Sequence, residues 1–170
     1  MTRLQSLFFL FALFLSVNAS AQFSTINLDT VNIPRTVFAE KSGALKLIAE
    51  KGTGIGLDIA YMPEWRAFGW FTASSRVEWY VVVEKGGTYD VTLEWSVSDE
   101  ESGKGFVIEF GPQTVKGKVG KSGSWETFKT VSVGHVKLAA GSHRVVFRPS
   151  VDFGLGAILD LREIRLNPAQ

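Results

Sequence analysis

The stretch KSGSWETFKTVSVGHVKLAAGSHRVVF, residues 121–147, decides the fold. It opens on a turn, Gly123-Ser124-Trp125, and two strand-like runs follow, parted by a second turn at Gly141. In the second run His143, Val145 and Phe147 share one phase, the period-two pattern of a half-buried strand. Trp125 is the open question. An indole at the end of a turn is either the first side chain of a core or an exposed platform.

The same alternation recurs on both sides. RVEWYVVV places Val77, Trp79, Val81 and Val83 on one face. TYDVTLEW places Tyr89, Val91, Leu93 and Trp95 against Asp90, Thr92 and Glu94. FVIEF gathers Phe106, Ile108 and Phe110. Trp79 and Trp95 alternate with valine and leucine, which marks them as core. The closing run AILDLREIRL changes phase between Leu159/Leu161 and Ile164/Leu166, and a bulge near Arg162–Glu163 reconciles the two. Glycine turns separate the runs, and no segment carries a sustained helical period. Short strands at this spacing predict an all-β fold, a two-sheet antiparallel β-sandwich.

The first residues follow another logic. MTRLQSLFFLFALFLSVNASAQ has a basic Arg3, an apolar run from Leu7 to Val17, and the small residues Ala19-Ser20-Ala21. This is the pattern of an export signal cut after Ala21; the run is short of the ~20 apolar residues that span a bilayer. The chain therefore divides into a signal peptide (1–21), a leader segment (22–43) with one added strand near Thr36–Ala39, and a single domain (44–168). A secreted or periplasmic destination follows.

Charge and composition exclude several functions. The chain has 18 Lys+Arg and 17 Asp+Glu, and loss of Arg3 with the signal leaves 17 of each. A neutral chain has no electrostatic footprint for nucleic acid or an anionic membrane. No cysteine is present, which removes thiol catalysis and cysteine-ligated metals. Two histidines, His135 and His143, cannot form a three-histidine site, and His143 alternates with core residues as a boundary side chain does. GTGIGL (Gly52, Gly54, Gly56) lacks dinucleotide-binding spacing and reads as a turn feeding a strand. SDEESGKG, with Asp99, Glu100 and Glu101, lacks the ordered alternation of a calcium loop and reads as a solvated hairpin tip. No carboxylate pair stands out as an acid–base set.

Taken in order, several pieces resemble one family. They are Ala49-Glu50, Gly69-Trp70, Glu78-Trp79, Gly86 to Val91, Ser122 to Thr130, Val136 to Val145, and Leu159-Asp160. Each is weak alone. Their order and spacing, from about Leu45 to Asn167, resemble carbohydrate-binding modules of families 6 and 35, jelly-roll sandwiches of the galactose-binding-like type.

The resemblance implies a sugar cleft at the loop edge of the sandwich, with a ring held between Trp70 and Trp125. A pyranose offers an apolar C–H face that stacks on an indole, while its hydroxyls seek polar partners. Tyr61, Trp65 and Arg66, in YMPEWRAF, either line a neighbouring binding loop or pack beneath it. Where the family carries an asparagine before the closing Leu-Asp, this chain has Gly156-Ala157-Ile158, and Asp152 is the candidate to supply the missing polar group. The resemblance also implies a structural calcium held by Glu50 and Asp160, carboxylates that suit a hard cation. Without the metal, Glu50 is an exposed side chain and Asp160 a cap on the bulge.

The function these residues imply is a non-catalytic protein that binds a polysaccharide or oligosaccharide, alone or beside a separately encoded glycoside hydrolase. The alternative is the same sandwich with a decayed cleft, used for protein–protein contact outside the cytoplasm. A small lyase or hydrolase on this scaffold lacks an identifiable acid–base set.

Overall fold

The structure, a computed structural model, describes residues 36–169. The export segment (1–21) and most of the leader lie outside the described residues. Twelve strands follow one another: β1 (Val37–Phe38), β2 (Leu45–Ile48), β3 (Thr53–Ile55), β4 (Ala60–Met62), β5 (Ala67–Gly69), β6 (Arg76–Val83), β7 (Gly87–Ser96), β8 (Gly105–Phe110), β9 (Gln113–Lys118), β10 (Lys129–Leu138), β11 (Gly141–Pro149) and β12 (Asp160–Pro168). A 3-10 turn, Ala49–Lys51, links β2 to β3. Among the described residues, no helix is long and apolar enough to cross a membrane.

The strands form two sheets. One runs β1-β6-β11-β8-β9, with β3 also paired to β6; the other runs β10-β7-β12-β5-β4, with β2 also paired to β12. Pairing is antiparallel except between β1 and β6, which run parallel with Val37 opposite Val81. The expected added strand is this β1, shorter than Thr36–Ala39 and parallel to its neighbour.

Alternation builds the core between the sheets. Val77, Trp79, Val81 and Val83 of β6 face Tyr89, Val91, Leu93 and Trp95 of β7, all buried, with Phe106, Ile108, Phe110, Val145 and Phe147 beside them. Each buried indole satisfies its N–H on a carbonyl: Trp79 donates to Ile48 at 2.9 Å and Trp95 to Gly120 at 3.1 Å. The register of β12 on β7 shifts between Leu161 and Glu163, so the bulge falls at Arg162 and returns Ile164 and Leu166 to the core.

Candidate functional site

Four chain segments meet at one edge of the sandwich. They are the stretch before β4 with the β4–β5 hairpin, the loop after β5, the loop from β9 to β10, and the loop from β11 to β12. Between them lies an open cavity of about 920 Å³, lined by Asp58, Ala60, Met62, Trp65, Trp70, Thr72, Trp125, Glu126, Gly156, Ala157 and Asp160. Three tryptophans and a methionine give it an apolar wall; Thr72 and three carboxylates supply the polar groups.

Trp125 is held by its backbone. Ser96, at the end of β7 and wholly buried, donates a 2.6 Å hydrogen bond to the Trp125 carbonyl. The turn ahead of it is tied down as well. The Ser122 hydroxyl accepts from Val97 N–H at 2.8 Å, and Gly123 N–H donates to Asp99 Oδ1 at 3.2 Å. The Trp125 ring is half-buried and packs against the core. Its ambiguity therefore resolves as both: one part seals the edge of the core and another lines the cavity.

Trp70 is a different case. It is 67% exposed and has a φ of 55°, left-handed backbone that a bulky residue rarely adopts. A Cβ at neighbouring Gly69 would meet the end of the Met62 side chain and lie 3.0 Å from Asp160 Oδ1. The loop that follows is joined to the β11–β12 loop by a 2.8 Å bond from Ile158 N–H to the Phe71 carbonyl.

Trp65 sits in the turn between β4 and β5, next to Arg66 with its φ of 51°. Arg162, the bulged residue of β12, fixes this turn from across the sheet. Its Nε and Nη2 each donate to the Trp65 carbonyl at 3.1 Å, and its Nη1 reaches Glu94 Oε1 at 3.0 Å. The guanidinium also lies 3.3 Å from the centroid of the Phe128 ring. The bulge thus re-aims a side chain from the sheet toward the loop edge.

Asp160 opens β12 at the base of the cavity, and burial, with a smaller contribution from the charge of Glu126, pushes its carboxyl up to about 7. The asparagine-free segment has its own logic. Gly156 has a φ of 89°, and a Cβ there would come within 2.7 Å of the Glu101 carboxylate. Glu101 pairs with Lys104, which also donates to the Ala157 carbonyl at 2.6 Å. Ile158, immediately before Leu159-Asp160, is buried in the core.

The sequence-derived residues divide. Trp65, Trp70 and Trp125 come together in one cavity. Tyr61 and Arg66 do not join them: they line a separate cavity with Ile48, Glu50, Glu94, Arg162 and Glu163. The reason is the pleat of β4, which sends Tyr61 to the face opposite Ala60 and Met62. Asp152 lines a third cavity beside Arg148 and Ser150, and its Oδ1 accepts from Gly154 N–H at 2.8 Å. Glu50 and Asp160 line different cavities. Among the described residues, no three or more His, Asp or Glu side chains are grouped so as to hold a metal ion. Asp160 instead joins the tryptophans, with Asp58, Glu126, Met62 and Thr72, which the sequence did not single out. Their only sequence signal was adjacency, as of Glu126 to Trp125.

No family model matches the sequence, and no curated protein does. Solved structures do. The C-terminal family 6 carbohydrate-binding module of a marine laminarinase from Zobellia galactanivorans is 17% identical at a TM-score of 0.60, covering 73% of this chain and 98% of its own. A module of a Cellvibrio mixtus lichenase, solved with cellotriose, is 18% identical at a TM-score of 0.59, covering 74% and 97%. A family 35 module from Clostridium thermocellum is 13% identical at a TM-score of 0.58, covering 74% and 98%. The chain has the β-sandwich fold of the carbohydrate-binding modules of families 6 and 35.

Proposed function

We propose that this is an exported, non-catalytic carbohydrate-binding protein, which stacks sugar rings on Trp70, Trp125 and Trp65 in the loop-edge cleft. The observation that carries this reading is the convergence of three tryptophans on one open cavity, two of them held by hydrogen bonds to their carbonyls. Rigid indoles beside hydroxyl-seeking carboxylates match the two-sided chemistry of a pyranose. The volume, about 920 Å³, lies near the top of the range of ligand sites and suits an oligosaccharide segment. Likeness to whole modules, 97% and 98% covered, supports a binding role without a catalytic one. The protein would serve alone or beside a separately encoded glycoside hydrolase.

Tryptophan fluorescence titrated with a panel of polysaccharides tests this. A saturable shift with at least one glycan is expected, lost in Trp70→Ala and weakened in Trp125→Ala, with circular dichroism unchanged. No shift with any glycan would defeat the reading.

A further inference from the structure

The cleft carries charge of one sign. Asp58, Glu126 and Asp160 line it, and among the described residues no lysine or arginine does. None of the three forms an ion pair among the described residues. The nearby cations are engaged elsewhere. Lys104 is paired with Glu101, bonded to the Ala157 carbonyl, and set 4.5 Å from the Phe153 ring centroid. Arg162 is held by Glu94, Phe128 and the Trp65 carbonyl. Arg66 lines the separate cavity.

The apolar wall adds to the same sign. Tryptophan faces present the negative side of their quadrupole to whatever stacks on them. A uronate or sulfate placed here would meet the Asp58 and Glu126 carboxylates and three indole faces with no counter-ion. A cation would meet both a charge partner and an aromatic surface.

We infer that the cleft selects its sugar by charge, favouring chains that bear protonated amino groups over neutral ones and rejecting uronates and sulfated sugars. Glu126 and Asp58, exposed at the rim, act as counter-ions to the ammonium, and the tryptophans stack its ring. This specificity rests on the carbohydrate-binding reading above.

The test compares three oligosaccharides of equal length on the full chain: a fully deacetylated glucosamine oligomer, its N-acetylated counterpart, and an oligouronate. At pH about 6 the amino groups carry protons. The deacetylated oligomer is expected to bind about tenfold tighter than the acetylated one, the order of one desolvated cation contact. Raising salt to about 0.5 M should shrink that gap, because screening acts on the charge and not on stacking. Glu126→Gln should shrink it too, and the oligouronate should not bind. Equal affinities for the two glucosamine oligomers, or binding of the oligouronate, would overturn the charge inference and leave sugar binding standing. If none of the three binds and the polysaccharide panel is also silent, the underlying reading falls with it.

Discussion

Ser96 and Trp125 are joined by a 2.6 Å hydrogen bond that runs from a wholly buried hydroxyl on β7 to the carbonyl of the cleft tryptophan. The contact ties the core directly to the candidate site. Replacing Ser96 with alanine removes the donor and leaves the Trp125 carbonyl short of a partner. Ser96→Ala is expected to cost ~1–2 kcal/mol in urea unfolding. Ligand affinity should fall as well, although no cleft side chain has changed. Unaltered affinity in the variant would show that the turn holds its shape without Ser96.

Trp70 offers the reverse separation of binding from stability. Its left-handed backbone strains a tryptophan but not a glycine. Trp70→Gly should therefore lose sugar binding while unfolding at the wild-type midpoint or above it, the relief being ~1 kcal/mol. A variant that melts well below wild type would make Trp70 a structural side chain.

Arg162 acts on Trp65 without lining the tryptophan cavity. Arg162→Met keeps much of the stem but removes both bonds to the Trp65 carbonyl and the partner of Glu94. The expected loss is ~1–3 kcal/mol of stability, with several-fold weaker binding. Arg162→Lys should not restore it, because a single ammonium cannot reproduce the planar fork. Full rescue by lysine would reduce the role to simple charge.

Acid–base behaviour should show two opposite contributions. The Asp160 carboxyl is raised to about 7, so the folded state holds its proton more tightly than the unfolded chain does. Its contribution is present below the ordinary aspartate range and is lost as pH rises toward 7. Glu78 runs the other way. The Arg144 hydrogen bond, opposed by burial and helped by Arg76, holds its carboxyl below the usual range, so its contribution is lost as pH falls through that lowered value. Asp160→Asn should flatten the loss between pH about 4 and 7, making the variant the more stable protein above neutrality. Thermal melts across that range decide it; an unchanged profile would mean that Asp160 titrates in the ordinary aspartate range.

The core was legible because period-two alternation survives in the structure. Val77 to Val83 and Tyr89 to Trp95 bury the side chains that the pattern assigns. The phase change in the last strand located the bulge, but not its use, since nothing local tells that Arg162 reaches a turn 97 residues away in sequence. Val107 and Val146 break the alternation: they belong to the outward phase yet are buried, lying beside the Arg144–Glu78 and Arg148–Glu109 ion pairs. Arginine stems can cover such valines, and pattern alone does not anticipate it. In the cleft, turn chemistry and resemblance singled out the tryptophans. The carboxylates were not found, because Asp58 and Glu126 sit in loops where no periodicity operates. Asp160 was singled out beside Glu50 as a calcium ligand and not as a cleft residue, because its neighbours in the cleft come from β5 and the Trp125 turn.

The walls of the cleft share one frame. Ser96 is opposite Asp160 in the β7–β12 register, bonds the Trp125 turn, and so joins floor to one wall. The bond from Ile158 to the Phe71 carbonyl joins that floor to the loop bearing Trp70. Jaws wired together in this way have no closing step to make. Stopped-flow traces should accordingly be single-exponential, with a rate rising linearly in sugar concentration and no plateau. Differences in affinity among sugars would then reside in how long each remains, not in how fast it arrives.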